Sequence, residues 1–298
     1  MRRRIVFALG LVTMLLAVRI YQRFGSSSLR ITVLDVGQGD AILVEFPYGK
    51  TLLVDGGGGF GGWNMGARVL VPDLLRRSIL KLDGMVLTHP DWDHGFGLLN
   101  VMDQIQVEKL WVNAEFLRDP TTRLWKRMAA RSEQNHIKIE ALDSFKTWNE
   151  SGVAISIGPV AFAKKRNDGS LVTYLEFAGC RVLLTGDIES AGEVALLQSP
   201  FLAEPIHLLK VAHHGSRTSS RSFFLSRAKP KFAVISVGRK NKYGHPNRGS
   251  LHRLSSVGAD ILRTDFHGYL AFEIDTSGLM RCKSYHGPCG ELQCYGNP

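Results

Sequence analysis

The segment Thr88–Gly95 contains four candidate metal ligands within six residues, His89, Asp91, Asp93 and His94, in the pattern H-x-D-x-D-H. Imidazole nitrogens and carboxylate oxygens are ligands that zinc and manganese accept in proteins. A loop that only caps a helix needs one Asp or Asn, not two histidines and two aspartates. The spacing therefore predicts a divalent-metal site.

A buried strand is expected to position these ligands, because the apolar run Gly84–Thr88 directly precedes them. Pro90 cannot continue a strand ladder and forces His89 into an extended or turn conformation. The four side chains should therefore lie on a tight loop at a strand end, before a helix that begins near Phe96.

Three later strands also end in residues that can bind metal or substrate: Cys180–Thr185 before Asp187, Ile206–Ala212 before His213 and His214, and Lys231–Val237 before His245. Each strand is predicted from its apolar or alternating run. Candidate ligands thus recur at strand ends along the chain.

Strands and helices alternate along residues 29–276, which predicts one α/β domain. Arg30–Val36, Ala41–Phe46 and Thr51–Asp55 follow one another without helices, so we expect an antiparallel meander. Helices are predicted at Met65–Leu80, Pro120–Glu133, Glu189–Gln198 and Arg248–Val257. Two strand-rich halves, each followed by helices, imply two mixed sheets packed face to face with helices on the outer faces.

The composition is that of a globular protein, with 298 residues, 44% of them hydrophobic and 21% charged. The formal net charge is +10, and residues 1–28 contribute five arginines and no acid, so the remainder carries +5. A mild basic excess of this kind is compatible with an anionic substrate.

The N-terminal segment Ile5–Val18 has fourteen residues without a charge, whereas a spanning helix needs about 20 apolar residues. Its flanking residues extend it enough for a thin bilayer. We therefore expect an uncleaved, single-pass anchor at residues 1–24 and a linker at residues 25–28. A cleaved signal peptide and the last span of a longer membrane protein are the alternatives. The N-terminal arginines should stay in the cytoplasm and place the domain outside.

The four cysteines are less informative. Cys180 begins an apolar strand and is expected to be a small buried hydrophobic residue. Cys282, Cys289 and Cys294 lie in a glycine-containing tail, residues 277–298, which we expect to be loosely ordered. Outside the cytoplasm two of these three could pair and leave one over, and a zinc knuckle is a weaker alternative.

Taken together, the motifs resemble the metallo-β-lactamase superfamily, and within it the extracytoplasmic hydrolase domain of ComEC-type DNA-internalisation competence proteins. Besides the H-x-D-x-D-H segment, the motifs that carry the resemblance are Leu34–Ala41, Asn167–Val172, Leu184–Glu189, Lys210–Ser216 and Tyr243–Pro246. They cover nearly everything from Leu29 to Ile274. The resemblance implies an αββα sandwich with metal ions at one edge of its two sheets.

The resemblance also assigns roles to residues. It implies that His89 and Asp91 hold one metal, that Asp93 and His94 hold the other, that Asp187 bridges both, that His213 or His214 completes the second site, and that Asp55 orients a ligand. Asp91 stands where many members have histidine, and the usual histidine between the first motif and Asp187 is missing. Asn167, Asp168, Ser170 or water are the candidates to fill that gap.

The implied chemistry is hydrolysis with two divalent metal ions, zinc or manganese, and a metal-bridged hydroxide as nucleophile. Asp93 or the hydroxide would take the proton, and His245 would contact the substrate or protonate the leaving group. Lys210 and Ser216 are candidates for phosphate contacts.

The resemblance implies that the substrate is DNA and that the chain acts as a nuclease or phosphodiesterase. A hydrolase of another small phosphoester or lactone, and a non-catalytic module of a DNA-uptake complex, are the alternatives. With a single hydrophobic segment the chain cannot form a DNA channel, so uptake would require a separate membrane channel protein.

Overall fold

The computed structural model describes residues 24–60, 63–118, 122–160 and 167–294, with four isolated positions before residue 24. The expected anchor at residues 1–24 therefore lies almost wholly outside the described residues. Among the residues that are described, no helix is both long and apolar enough to cross a bilayer.

The first layer of strands is a nine-stranded mixed sheet. From edge to edge its strands are β10 (Lys138–Leu142), β9 (Lys109–Asn113), β7 (Gly84–Leu87), β3 (Thr51–Val54), β2 (Ile42–Glu45), β1 (Leu29–Val33), β18 (Leu270–Ile274), β19 (Leu279–Ser284) and β20 (Gly287–Gln293). Strands β1 to β3 form the expected antiparallel meander. Strands β3, β7, β9 and β10 are parallel to one another.

The second layer is a seven-stranded sheet of β11 (Lys146–Glu150), β12 (Val153–Pro159), β13 (Leu171–Phe177), β14 (Cys180–Leu184), β15 (Leu208–Lys210), β16 (Phe232–Ile235) and β17 (Asp260–Arg263). It is antiparallel up to β14 and parallel from β14 to β17. Two small two-stranded ribbons pair β4 (Gly59–Phe60) with β5 (Trp63–Asn64) and β6 (Lys81–Leu82) with β8 (Gln106–Val107).

The described helices are α1 (Val71–Arg76), α2 (Trp92–Gln104), α3 (Ala114–Arg118), α4 (Arg123–Gln134), α5 (Ser190–Leu196), α6 (Ser222–Ala228), α7 (Arg248–Ser256) and α8 (Thr264–His267). The helix expected at Met65–Leu80 is shorter, because a π-helical turn at Gly66–Leu70 precedes α1 and the chain leaves the helix after Arg76. Helix α2 begins at Trp92 rather than near Phe96, so Asp93 and His94 lie in its first turn.

Three apolar cores separate four layers, which confirms the predicted αββα sandwich. On β2, Ile42 and Val44 face the seven-stranded sheet, whereas Leu43 faces helices α1, α2 and α4. A third core packs the other sheet against α5, α6 and α7. Because successive side chains alternate between faces, strands buried on both faces are apolar throughout.

The expectation of a loosely ordered tail is wrong. Strands β19 and β20 complete the nine-stranded sheet, and disulfides link Cys180 to Cys294 and Cys282 to Cys289. Cys180 is therefore a buried disulfide partner rather than a free hydrophobic residue. The glycines and Pro288 in β20 hid its strand character, because such residues are tolerated in an edge strand but weaken the apolar alternation.

Candidate metal centre

The candidate ligands lie together because strands of both sheets end at the same edge of the sandwich. In the nine-stranded sheet Asp55 follows β3 and His89 follows β7, and these strands are parallel. In the seven-stranded sheet Asp187 follows β14, while His213 and His214 follow the parallel strand β15. Parallel strands present their carboxyl ends at one edge, so both sheets contribute ligands there.

Asp187 is at the centre of the cluster. Its Oδ2 atom lies 3.3 Å from Nε2 of His94, 3.4 Å from Nε2 of His214, and 3.9 Å from Nε2 of both His89 and His213. Ligand atoms that share a cation, each about 2.0–2.2 Å from it, lie about 3–4 Å apart. Asp187 can therefore contribute to two ligand sets.

The buried polar atoms of this cluster test whether the residues fit a metal. Among the described residues, the buried atoms without a hydrogen-bond partner include Nε2 of His89, His94 and His214 and Oδ1 of Asp187. An unsatisfied buried polar atom costs about 1–3 kcal/mol. Histidine nitrogens and a carboxylate oxygen that are left unpaired around one point are satisfied by a cation, so the residues fit divalent metal ions.

Asp91 and Asp93 form the open side of the cluster, since their side chains are 32% and 33% exposed. Oδ2 of Asp91 is 3.7 Å from Nε2 of His89, and Oδ2 of Asp93 is 3.7 Å from Nε2 of His214. Gly39, with φ of 116°, lets its loop approach Asp93, because a Cβ there would lie 1.9 Å from the Asp93 carbonyl oxygen. The two aspartates thus flank Asp187 on different sides.

Asp55 and Thr88 orient the first two histidines. Oδ2 of Asp55 is 2.7 Å from Nδ1 of His94, and the carboxylate accepts hydrogen bonds from the Thr88 amide and hydroxyl at 2.9 and 2.6 Å. The Thr88 hydroxyl also lies 3.0 Å from Nδ1 of His89. Because its hydrogen already points to Asp55, its oxygen accepts a hydrogen bond from that nitrogen. Both rings therefore direct Nε2 toward Asp187, the arrangement that metal-binding histidines require.

Asp40 is a site residue that the sequence analysis did not single out. Its carboxylate lies 2.7 Å from Nζ of Lys210 and 3.4 Å from Nδ1 of His214. Nδ1 of His214 also donates to the Ser236 carbonyl at 2.9 Å. Lys210 is buried, so the phosphate contact expected for it does not occur, and it instead neutralises Asp40 behind the ligands. In the sequence, Asp40 is an acidic residue in a glycine-containing loop between two apolar strands, and this position could have indicated its role.

The structure separates the two adjacent histidines. The side chain of His214 is 1% exposed and faces Asp93 and Asp187, whereas that of His213 is 23% exposed. The ring of His213 lies 5.6 Å from that of His245, and its Nδ1 is 3.5 Å from Oε1 of Glu189. His214 is thus the better placed of the two to complete the second ligand set.

The Asn167–Ser170 segment supports Asp187 from behind. The Ser170 hydroxyl accepts from the Asp187 amide at 3.2 Å and donates to the Asn167 carbonyl at 2.7 Å. The Asp168 carboxylate accepts from the amides of Glu189 and Gly192 at the start of α5. Asp168 is therefore occupied as a helix cap and does not fill the missing position of the first ligand set.

His245, one of the expected substrate-contact residues, lies at the mouth of the cluster beside His213 and His214. The backbone of His245 is held by Asn241, whose side chain accepts from the His245 amide at 3.0 Å and donates to its carbonyl at 2.7 Å. Burial and the neighbouring His214 and His213 lower the pKa of His245 to about 4, so the ring is neutral at pH 7. A neutral ring can bind a substrate oxygen but holds no spare proton for a leaving group. Ser216 pairs its hydroxyl with that of Thr218 at 3.0 Å.

In the absence of cations, the carboxylates of the cluster favour the protonated forms of two of its histidines. Although burial opposes their charged forms, Asp187 and Asp55 raise the pKa of His94 well above its ordinary value, and Asp187 and Asp40 raise that of His214 to about 9. Against burial, His214 and His94 hold the pKa of Asp187 well below its usual range. Cations must displace these protons, so their binding strengthens as pH rises.

Three residues of the cluster have left-handed backbone conformations, with φ of 58° at Asp55, 49° at His213 and 53° at His214. Non-glycine residues pay about 1–2 kcal/mol for this conformation. Such strain persists only where the surrounding structure imposes it, and it is concentrated at functional sites.

Fold and site together define an αββα metallo-hydrolase architecture, and sequence comparison agrees. Residues 34–239 match the Metallo-beta-lactamase superfamily, so the chain belongs to that superfamily. The solved structure of Tm1679, a metal-dependent hydrolase of the beta-lactamase superfamily, superimposes with a TM-score of 0.54 at 12% identity, covering 79% of this chain and 95% of that one. At this identity the likeness shows the fold alone.

Within the superfamily the chain is similar to proteins of natural competence. It is 28% identical over 268 residues to ComE operon protein 3 of Bacillus subtilis, covering 83% of this chain and 33% of that protein. It is 30% identical over 251 residues to competence protein ComA of Neisseria gonorrhoeae, covering 84% and 33%. The chain thus spans about a third of the length of these relatives.

Proposed function

We propose that this chain is a metal-dependent phosphodiesterase that cleaves DNA outside the cytoplasmic membrane during DNA uptake. The observation that supports it most is the set of unpaired His89, His94 and His214 nitrogens around Asp187. The partly exposed carboxylates beside them suit zinc or, because they add oxygen ligands, manganese. The similarity to competence proteins suggests DNA as the substrate.

Residues that would hold the two cations are His89, Asp91, Asp93, His94, Asp187 and His214. Bound cations would polarise a phosphoryl oxygen and lower the pKa of water. Asp93, on the open side, is placed to accept the proton of an attacking water. His245, neutral at the mouth, donates a hydrogen bond to a substrate oxygen.

Two disulfides support an extracytoplasmic location, because disulfides persist in oxidising compartments and are rare in the cytosol. An N-terminal anchor at residues 1–24 would hold the domain at the membrane surface. The proposal includes a separate membrane channel protein as partner in DNA uptake.

The test of this proposal is cleavage of a labelled oligonucleotide, assayed beside bis-nitrophenyl phosphate with manganese, zinc or a chelator. We expect metal-dependent cleavage of both substrates by the wild-type chain. Asp93→Asn should abolish cleavage but retain most DNA binding, since it changes one ligand and not the DNA-binding surface. Asp187→Ala should lose most of the bound metal in elemental analysis, because it removes a shared ligand.

The exposed Asp143 supplies the matched control, and Asp143→Asn should behave as wild type in every assay. Cleavage of the small ester without any cleavage of DNA would identify a hydrolase of another phosphoester. No turnover by metal-loaded protein would indicate a non-catalytic module of an uptake complex. Unchanged metal content in Asp187→Ala would contradict the two-metal arrangement.

A further inference from the structure

Helices α2 and α4 run side by side on the outer face of the nine-stranded sheet. Near the metal edge, Leu124 of α4 packs against Gly95 of α2, where an added Cβ would lie 2.5 Å from Leu124 Cδ2. At the opposite end, Arg131 of α4 donates to Asp103 of α2 at 2.8 Å. The helices are therefore parallel, and the first turn of α4 lies beside the turn of α2 that carries His94.

The start of α4 has an exposed basic face, formed by Arg123, Lys126 and Arg127. Residues spaced three and four apart share one side of a helix. None of these three side chains has an ion-pair or hydrogen-bond partner within the described part of the chain, and the first turn contains no acid. Cations near a helix N-terminus oppose the helix dipole, so an anionic partner would offset their cost.

Trp92 lies at the rim of the metal cluster, between Asp91 and Asp93 in the sequence. Its side chain is 40% exposed and stacks on Phe96, with ring centroids 4.1 Å apart and planes 19° from parallel. The contact holds the exposed indole in place. An exposed aromatic ring that a neighbouring ring holds in place is the arrangement on which unpaired bases stack.

We propose that Trp92 and the basic face of α4 form a binding track for single-stranded DNA, which leads the strand to the metal edge. The phosphates lie along Arg123, Lys126 and Arg127, and a base stacks on Trp92. The inference rests on the proposed function and specifies its substrate, since the bases of a duplex remain paired and cannot stack on Trp92.

The charge component is tested by binding of a fluorescent single strand to the full chain, in chelator and across a salt series. Changing Arg123, Lys126 and Arg127 together to Gln should weaken binding and reduce the slope of log K against log salt by about 2, at roughly 0.7 per phosphate. The control changes three exposed lysines elsewhere, Lys138, Lys229 and Lys283, to Gln and should leave the slope as in wild type.

The stacking component is tested by Trp92→Leu, which should weaken single-strand binding about tenfold and leave duplex binding unchanged. Trp92→Phe should retain most of the affinity, whereas the control Tyr285→Leu, at a ring that is 72% exposed, should have no effect. Melting temperature and metal content, measured for each variant, report whether the fold and the metal centre persist.

Single-strand binding and salt slope that match wild type in both the triple variant and Trp92→Leu would overturn the track. If the track variants lose binding while the wild-type chain cleaves neither DNA nor the small ester, the track stands and the proposed hydrolysis fails. If the wild-type chain cleaves DNA and the track variants bind normally, the hydrolysis stands and the track fails.

Discussion

At the scale of single residues, the candidate centre depends on two buried carboxylates, Asp55 and Asp40, that lie behind the histidine ligands. Asp55 binds Nδ1 of His94, and Asp40 lies beside Nδ1 of His214, so each ring presents Nε2 to Asp187. One carboxylate comes from the end of β3 and the other from the loop before β2. Asp55 fixes the tautomer of His94 through its hydrogen bond to Nδ1. In His214 the Nδ1 proton goes to the Ser236 carbonyl, and Asp40 adds its negative charge nearby.

Lys210→Met tests the buried pair behind His214. The change leaves the Asp40 carboxylate buried without its cation, so the free energy of unfolding should fall by about 3–5 kcal/mol in urea denaturation. The double variant Asp40→Asn/Lys210→Met removes both charges and should recover part of that loss. Equal stability of Lys210→Met and wild type would show that Asp40 does not depend on this pair.

Glu193 predicts a pH dependence of stability. Burial raises its pKa from 4.5 to about 7, although the amides of Arg221 and Ser220 favour the charged form. The folded state therefore binds the proton more tightly than the unfolded state does. The stability from protonation is fully present below about pH 4.5 and is lost as pH rises to about 7.

The matching variant is Glu193→Gln, which stays neutral at every pH. The free energy of unfolding of wild type, minus that of the variant, should decrease by about 3 kcal/mol between pH 4.5 and 8 in denaturation experiments. A difference that stays constant with pH would mean that the Glu193 carboxyl titrates as in the unfolded chain.

At the scale of elements, the C-terminal hairpin of β19 and β20 closes one side of the nine-stranded sheet. Met280, Cys282 and Cys294 belong to the central core between the sheets. The disulfide between Cys180 and Cys294 ties the end of this hairpin to β14 in the other sheet. The hairpin is therefore an integral part of the sandwich.

The two disulfides should differ in their contribution to stability. The Cys180–Cys294 bond closes a loop of 114 residues, whereas Cys282–Cys289 spans 7. Because loop-closure entropy grows with loop length, Cys180→Ala/Cys294→Ala should lower the free energy of unfolding by about 5 kcal/mol and Cys282→Ala/Cys289→Ala by about 2. Calorimetry of both double variants checks the order, and the reverse order would contradict the entropic account.

At the scale of the whole molecule, the sandwich places its ligands at one edge and leaves helices on both outer faces. Under the proposed function, this arrangement would let an anchored domain present its metal edge to DNA. If the arginines near the N-terminus stay in the cytoplasm, a C-terminal reporter that works only outside the cytoplasm should be active in cells. Activity of a cytoplasm-specific reporter instead would overturn the proposed topology.

Several features of this protein follow from the sequence alone. Four candidate ligands within six residues are a local pattern, and such a pattern can be recognised without knowledge of the fold. The central strands of both sheets can also be predicted from the sequence, because strands that are buried on two faces have nearly continuous apolar runs. The ligand types and the αββα class were therefore predictable, as was Asp187 at a strand end.

Only the tertiary structure decided which distant segments meet. The choice of His214 over His213 depends on left-handed backbone at both residues, which gives the two adjacent rings different burial. The burial of Lys210 depends on Asp40 arriving from the other sheet. The pairing of Cys180 with Cys294 depends on the tail forming strands, because cysteine spacing does not determine connectivity.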